Sequence, residues 1–267
     1  MDRSLYISAL VAYVILLLAR VPSRARPILG HPAWIVVGVL LHSGALALAW
    51  FYGGRLPLDS MRDGLSALSL WVVIGWAYLR RRPKMEDLGT VLLGLAVLLL
   101  AAGQLAPGPG GESEADFSTI WFPLHVLLML LGFTGFALAF SMSALFLFVR
   151  RRLKQKRLKD IARLPSLDTL DRLNLQAMAL GFVALTAGMA VGGLWGANHP
   201  EGDLAPDITI YATVAVWIWY AAGLHVRLVA GWRGRLAALF GVFGFAGLVI
   251  LFSIAVLVLR GWHGFGD

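Results

Sequence analysis

The chain contains no cysteine, which removes disulfides, thiolate metal sites and thiol nucleophiles. Charge is scarce as well: only 14% of its 267 residues are Asp, Glu, Lys or Arg, against roughly 25% in a soluble domain. There is too little polar surface to wrap a globule of this size in water. Paired intramembrane carboxylates, a metal-binding HExxH and a nucleophile elbow are absent, so no independent catalytic motif supports an enzyme. No internal repeat or broken-helix pair is found, which ranks a transporter of some other solute last. A proton path through buried histidines is the one feature in its favour.

What is present is apolar bulk. Hydrophobic residues make up 59% of the chain, and they gather in runs such as Leu5 to Ala19, Ala33 to Phe51, Val91 to Ala102 and Leu236 to Leu259. Each run needs lipid or other helices around it. A spanning helix takes about 20 apolar residues at about 1.5 Å each. On that measure the expected fold is an all-α polytopic membrane bundle of about eight transmembrane helices, a single integral membrane domain over 1–267. Helices are expected near 4–20, 32–51, 65–79, 88–105, 120–149, 174–197, 208–229 and 236–259. The third is short and has room to extend. The fifth is long, so its inner end is expected to project past the lipid. The first run lacks a preceding basic flank and a small-residue cleavage site after it, so it reads as a retained helix rather than a signal peptide.

The formal charge of +8 is explained by placement rather than by nucleic acid, which is not an expected partner. Bases fall in alternate connections: Arg20, Arg24 and Arg26; Arg80, Arg81, Arg82 and Lys84; the stretch from Arg150 to Arg163; then Arg227, Arg233 and Arg235. The other connections hold Asp59 and Asp63 beside Arg55 and Arg62, then Glu112, Glu114 and Asp116, then Glu201, Asp203 and Asp207. That asymmetry puts both termini outside and the basic loops in the cytoplasm, as in a multi-pass protein of the bacterial inner membrane. The basic segment 150–173 reads as a topology anchor in contact with anionic membrane lipid. Ser166, followed by Asp168 and Thr169, marks a helix start, and a short amphipathic helix is expected there.

With cysteine absent, the 6 histidines are the available metal or cofactor ligands, and an ionisable residue inside a membrane is a functional candidate by default. His42 falls near the middle of the second helix and His225 in the inner third of the seventh. His125 lies at the outer mouth of the fifth helix and His263 just past the outer end of the eighth. Two facing neutral imidazoles at one depth could ligate haem iron from both sides. A lone interfacial histidine that hydrogen-bonds to water is the plainer reading. Trp217 and Trp219 share the helix of His225; such residues usually belong to an aromatic belt, although a flat aromatic surface beside axial histidines would suit a porphyrin. GMAVGG (188–193), within an apolar helix, points to close helix packing rather than phosphate binding.

The stretches LPSLDTLDRLNLQAMALGF (164–182), GLWGAN (193–198), WYAAGLHVRL (219–228) and GWRGR (231–235) together resemble the cytochrome c assembly family, with its CcsA-type, HemX-like and YpjD-like members. FPLHVLLMLLGFTGFALAF (122–140) and GWHGFG (261–266) resemble the family's segments around two outer histidines. The resemblance is strongest over the fifth to eighth helices and covers about 64–266. It implies a haem-handling membrane protein of cytochrome c maturation. By matching segments, His125 and His263 would be outer axial ligands of haem b, and His225 and His42 the embedded pair. Trp195 would lead the haem-presenting loop and Asp207 would stand near its end. The implied partners are apocytochrome c and another membrane protein of maturation or of a larger complex.

One segment departs from the pattern. The family's loop is typically rich in Trp and ends Trp-Asp-Pro-Lys-Glu, whereas this chain reads GANHPEGDLAP between Trp195 and Asp207 and continues ITIY. The loop length is kept and the aromatic platform is not. The alternative reading is therefore a non-catalytic membrane subunit or regulator that keeps the fold and scaffolds another complex.

Overall fold

The computed structural model describes residues 2–19, 33–53, 61–82, 84–85, 88–106, 120–161, 164–197 and 208–257. Among these residues all regular structure is helical: α1 (Asp2–Leu18), α2 (Ala33–Gly53), α3 (Met61–Leu79), α4 (Leu88–Leu105), α5 (Trp121–Lys154), α6 (Leu167–Ala197), α7 (Ile208–Leu228) and α8 (Arg235–Leu257), with one 3-10 turn at Leu158–Asp160. Five of them, α2 and α4 to α7, are long and apolar enough to cross a bilayer. Their outward faces are greasy: Leu98 and Leu180 are 68% and 72% exposed, and Phe243 of α8 is 62% exposed. A surface of that kind belongs in lipid, where the helix satisfies its own backbone. The protein is a multi-pass membrane helix bundle.

The helix limits fall close to those read from hydropathy, with two informative differences. The third helix extends back to Met61 and takes in Arg62 and Asp63. The helix begun at Ser166 does not end as a separate amphipathic piece but runs unbroken for 31 residues, Leu167–Ala197. Ser166 caps it, its Oγ accepting from the Thr169 amide at 3.2 Å, and no proline interrupts the helix before it ends. Helix α5, at 34 residues, is about 50 Å long and exceeds a hydrocarbon core of about 30 Å. Its last turn carries Arg151, Arg152 and Lys154, where cations favour the negative end of the helix dipole.

The chain folds as two compact units that divide between Ser113 and Glu114, within the Pro/Gly-rich, acidic connection. In the first unit α1 packs on α2 and α4, and α3 packs on α4. Its core includes Tyr13, Trp76, Leu92 and Leu100. Trp76 lies where Gly89 has no side chain; a Cβ there would stand 2.5 Å from the indole ring.

The second unit is built on the α5–α6 pair, with α8 packed on α5 and on α7. Small residues let α5 and α6 approach closely. A Cβ on Gly135 would lie 2.6 Å from the Gly181 Cα, and one on Gly132 would lie 3.0 Å from the Leu185 amide nitrogen. Phe136 and Tyr220, both 0% exposed, stack at 3.5 Å to join α5 with α7.

Candidate functional site

His125 is the fifth residue of α5, two after Pro123 in the first turn. Proline is tolerated there because first-turn amides have no intrahelical acceptor. The imidazole is half-buried and lies against α6, where Gly188 and Gly192, four residues apart, share one face. Its Nδ1 stands 2.8 Å from the Gly188 carbonyl oxygen. A carbonyl can only accept, so Nδ1 carries the proton and the lone pair of the neutral ring resides on Nε2. Metal-ligating histidines commonly donate their other ring N–H to a carbonyl in this way, which fixes tautomer and ring plane.

Gly192 completes the seat. A Cβ at that position would stand 2.5 Å from Nδ1 and 2.6 Å from Cε1 of His125. Gly193, its neighbour, has nothing within 4 Å of the equivalent point. One turn further along the same face of α6 is Trp195, whose ring lies 5.8 Å from that of Phe122 on α5. Residues 188, 192 and 195 of one helix thus face 122, 125 and 129 of the other. The sequence points to helix packing at GMAVGG, and packing is what the glycines do; their second task, seating an imidazole, has no signature in that stretch.

His42 is placed very differently. It is 0% exposed, and both ring nitrogens are engaged: Nδ1 with the Tyr13 hydroxyl at 3.0 Å and Nε2 with the Ser66 hydroxyl at 2.7 Å. Tyr6 meets the ring edge-on with centroids 6.1 Å apart. Gly38, one turn before His42, makes room for Tyr13, since a Cβ there would be 2.9 Å from its ring. His225 is exposed on α7, and its ring forms no hydrogen bond among the described residues. His263 and Asp207 lie outside the described residues. Trp217 and Trp219 join helices: Trp217 donates to the Thr186 hydroxyl at 2.9 Å and stacks on Phe182, while Trp219 donates to the Phe240 carbonyl at 3.3 Å and stacks on Phe240.

A polar node that the sequence pattern does not single out ties the other end of the second unit together. Arg227 of α7, 8% exposed, donates to the Asn174 side-chain oxygen and to the Asp171 carbonyl at 3.0 Å. It also pairs with the Asp171 carboxylate at 3.1 Å. Asn174 in turn donates to the Ala139 carbonyl at 2.7 Å and to the Ser143 hydroxyl at 2.8 Å. The Gly234 amide donates to the Asp171 carboxylate at 3.2 Å from a turn with φ of 71°, a conformation that favours glycine. A buried cation without such partners would be strongly destabilising. The stretches 164–182, 219–228 and 231–235, separate in sequence, meet here.

Haem ligation can be tested against these side chains. His125 has the tautomer and the fixed ring plane that an axial ligand needs. His225 has an accessible ring. His42 could ligate through Nε2 only if the Ser66 hydroxyl turned away, for instance to the carbonyl four residues back on its own helix. Among the described residues no three of His, Asp or Glu converge as for a metal ion.

The family model described as "Cytochrome C assembly protein" matches residues 63–263, three quarters of the chain. The chain belongs to this family. Curated relatives named "Cytochrome c biogenesis protein CcsA" include those of Trieres chinensis, 24% identical with 89% of this chain and 86% of the relative covered, and Guillardia theta, 23% identical with 83% and 80% covered. That of Prochlorococcus marinus (strain MIT 9312) is 23% identical, with 85% and 81% covered. The family match spans α3 to α8, all the helices of the second unit among them, and so contains both the glycine seat and the Arg227 node.

Proposed function

We propose that this chain is a haem-handling membrane protein of cytochrome c maturation. It binds haem b through paired histidines and presents it at the outer face to apocytochrome c, working with another membrane protein of the same process. His125 and His263 form the outer pair, and His42 and His225 the embedded one. The chain crosses the bacterial inner membrane about eight times, with both termini outside, so that the basic connections lie in the cytoplasm. Trp195 and Asp207 bracket the outer loop.

The observation that carries this reading is the His125 seat. A histidine that merely meets water at an interface needs no glycine beneath it and no carbonyl aimed at Nδ1. Here two glycines on a neighbouring helix hold one imidazole in one plane and one tautomer. The chain's contribution is to bind and orient; the chemistry of attachment belongs to haem and to the apocytochrome.

The test is the absorption spectrum of the full chain purified in detergent from haem-replete cells, oxidised and reduced. A bis-histidine low-spin haem spectrum supports the proposal, and purified protein without a Soret band overturns it. One observation favours the scaffold reading instead: His42, closed on both nitrogens, is shaped as a structural histidine. That reading expects co-purification with a membrane partner and an unchanged phenotype when His125 is replaced.

A further inference from the structure

Where α5 leaves its apolar run and α8 begins, a cavity of about 440 Å³ is lined by Leu147, Arg150, Arg151, Lys154, Gln155 and Arg235. Four cations from segments more than 80 residues apart converge on one space, with a leucine at one side and no carboxylate in the lining. None of the four is in an ion pair among the described residues. Their neighbour Arg152 has a different engagement, lying over the Phe148 ring at 5.0 Å, and Arg227 and Asp171 are satisfied by each other. Arg151, Lys154 and Arg235 are exposed, so solvent screens part of the repulsion among the four cations, and an anion held between them relieves the rest.

Depth identifies the class of anion. The cavity lies where the sequence of α5 passes from the apolar run ending at Val149 to the bases beginning at Arg150, the change of composition that marks hydrocarbon giving way to headgroups. Arginine and lysine stems lie along apolar surface while their charged ends reach the phosphate level. Arg235 is the first residue of α8, so the cavity also lies beside the positive end of a helix dipole. Basic pockets between spanning helices at this level are suited to anionic lipid headgroups.

We propose that this cavity is a specific site for the phosphate of an anionic lipid, with Arg150, Arg151, Lys154 and Arg235 holding the phosphate and Leu147 contacting the first acyl carbons. This goes beyond a diffuse basic anchor, because it distinguishes cations in the cavity from equal cations beside it. Lys156, Arg157 and Lys159, exposed like Arg151, Lys154 and Arg235 but outside the cavity lining, are the internal comparison.

Thermal unfolding of the full chain in neutral detergent, titrated with phosphatidylglycerol, with phosphatidylcholine or with inorganic phosphate alone, tests it. Phosphatidylglycerol is expected to stabilise saturably, and phosphatidylcholine and inorganic phosphate are not. The variant Arg151→Gln/Lys154→Gln/Arg235→Gln is expected to weaken the phosphatidylglycerol response at least about tenfold. The variant Lys156→Gln/Arg157→Gln/Lys159→Gln is expected to change it less than about twofold. Equal losses in the two variants, or no difference between the lipids, overturn the proposal; a response to inorganic phosphate alone that matches the lipid overturns its lipid assignment. The single variant Arg235→Gln, on an exposed side chain, supplies the same comparison should the triple variant fold poorly.

Discussion

Two histidines on helices of similar apolar character, His42 in the first unit and His125 in the second, have been given opposite surroundings. The His42 ring is sealed: one nitrogen meets a tyrosine hydroxyl and the other a serine hydroxyl, in a place with no exposed surface. At His125 a backbone carbonyl fixes Nδ1, glycine leaves room for one side of the ring, and the side chain remains partly exposed. Burial alone would rank His42 as the special residue. Hydrogen-bond geometry separates them: His42 shares both ring nitrogens with hydroxyls, whereas the Gly188 carbonyl fixes the His125 proton on Nδ1 and so sets one tautomer.

That contrast can be broken by substitution, and the largest effect should fall on His42. Replacing it with Leu strands the Tyr13 and Ser66 hydroxyls in a dry interior, at about 1–3 kcal/mol each, and thermal unfolding monitored by tryptophan fluorescence should show the loss. His125→Ala, at a partly exposed site, should cost under about 1 kcal/mol in the same assay. Next comes Gly192→Ala, whose methyl occupies the place of the His125 ring. It should lower haem occupancy about tenfold, equivalent to about 1.4 kcal/mol, while Gly193→Ala leaves the pyridine haemochrome titre unchanged. Ser66→Ala should cost about 1 kcal/mol of stability, and if His42 takes part in ligation it should raise haem content rather than lower it. Smallest is Trp217→Phe, which forfeits the bond to Thr186 but keeps the stack on Phe182, for about 0.5–1 kcal/mol in unfolding.

Much of the architecture is legible in the sequence because a bilayer imposes one rule on every span. The apolar stretches mark the helices, five of them long and apolar enough to cross a bilayer, and the great length of α5 is plain from its excess over a membrane thickness. The continuity of α6 is harder to foresee, since the polar stretch LDTLDRLN looks like a surface piece until Asp171 and Asn174 are seen to face Arg227. The site is legible only in part. Periodicity shows that positions 188 and 192 share a helix face; it does not show that His125, more than 60 residues earlier, rests on them. The closure of His42 depends on Tyr13 and Ser66 arriving from two other helices, and nothing local to LLHSG signals it. In the same way Trp217 and Trp219 read as belt residues until their indole N–H groups are seen to bridge helices.

Whether His125 presents a ligating nitrogen can be read from spectra of haem-loaded wild-type and His125→Ala protein, purified side by side. A low-spin haem spectrum is expected in the wild type and is expected to be lost, or converted to a high-spin form, in the variant. Two superimposable spectra at equal haem content would contradict ligation by His125.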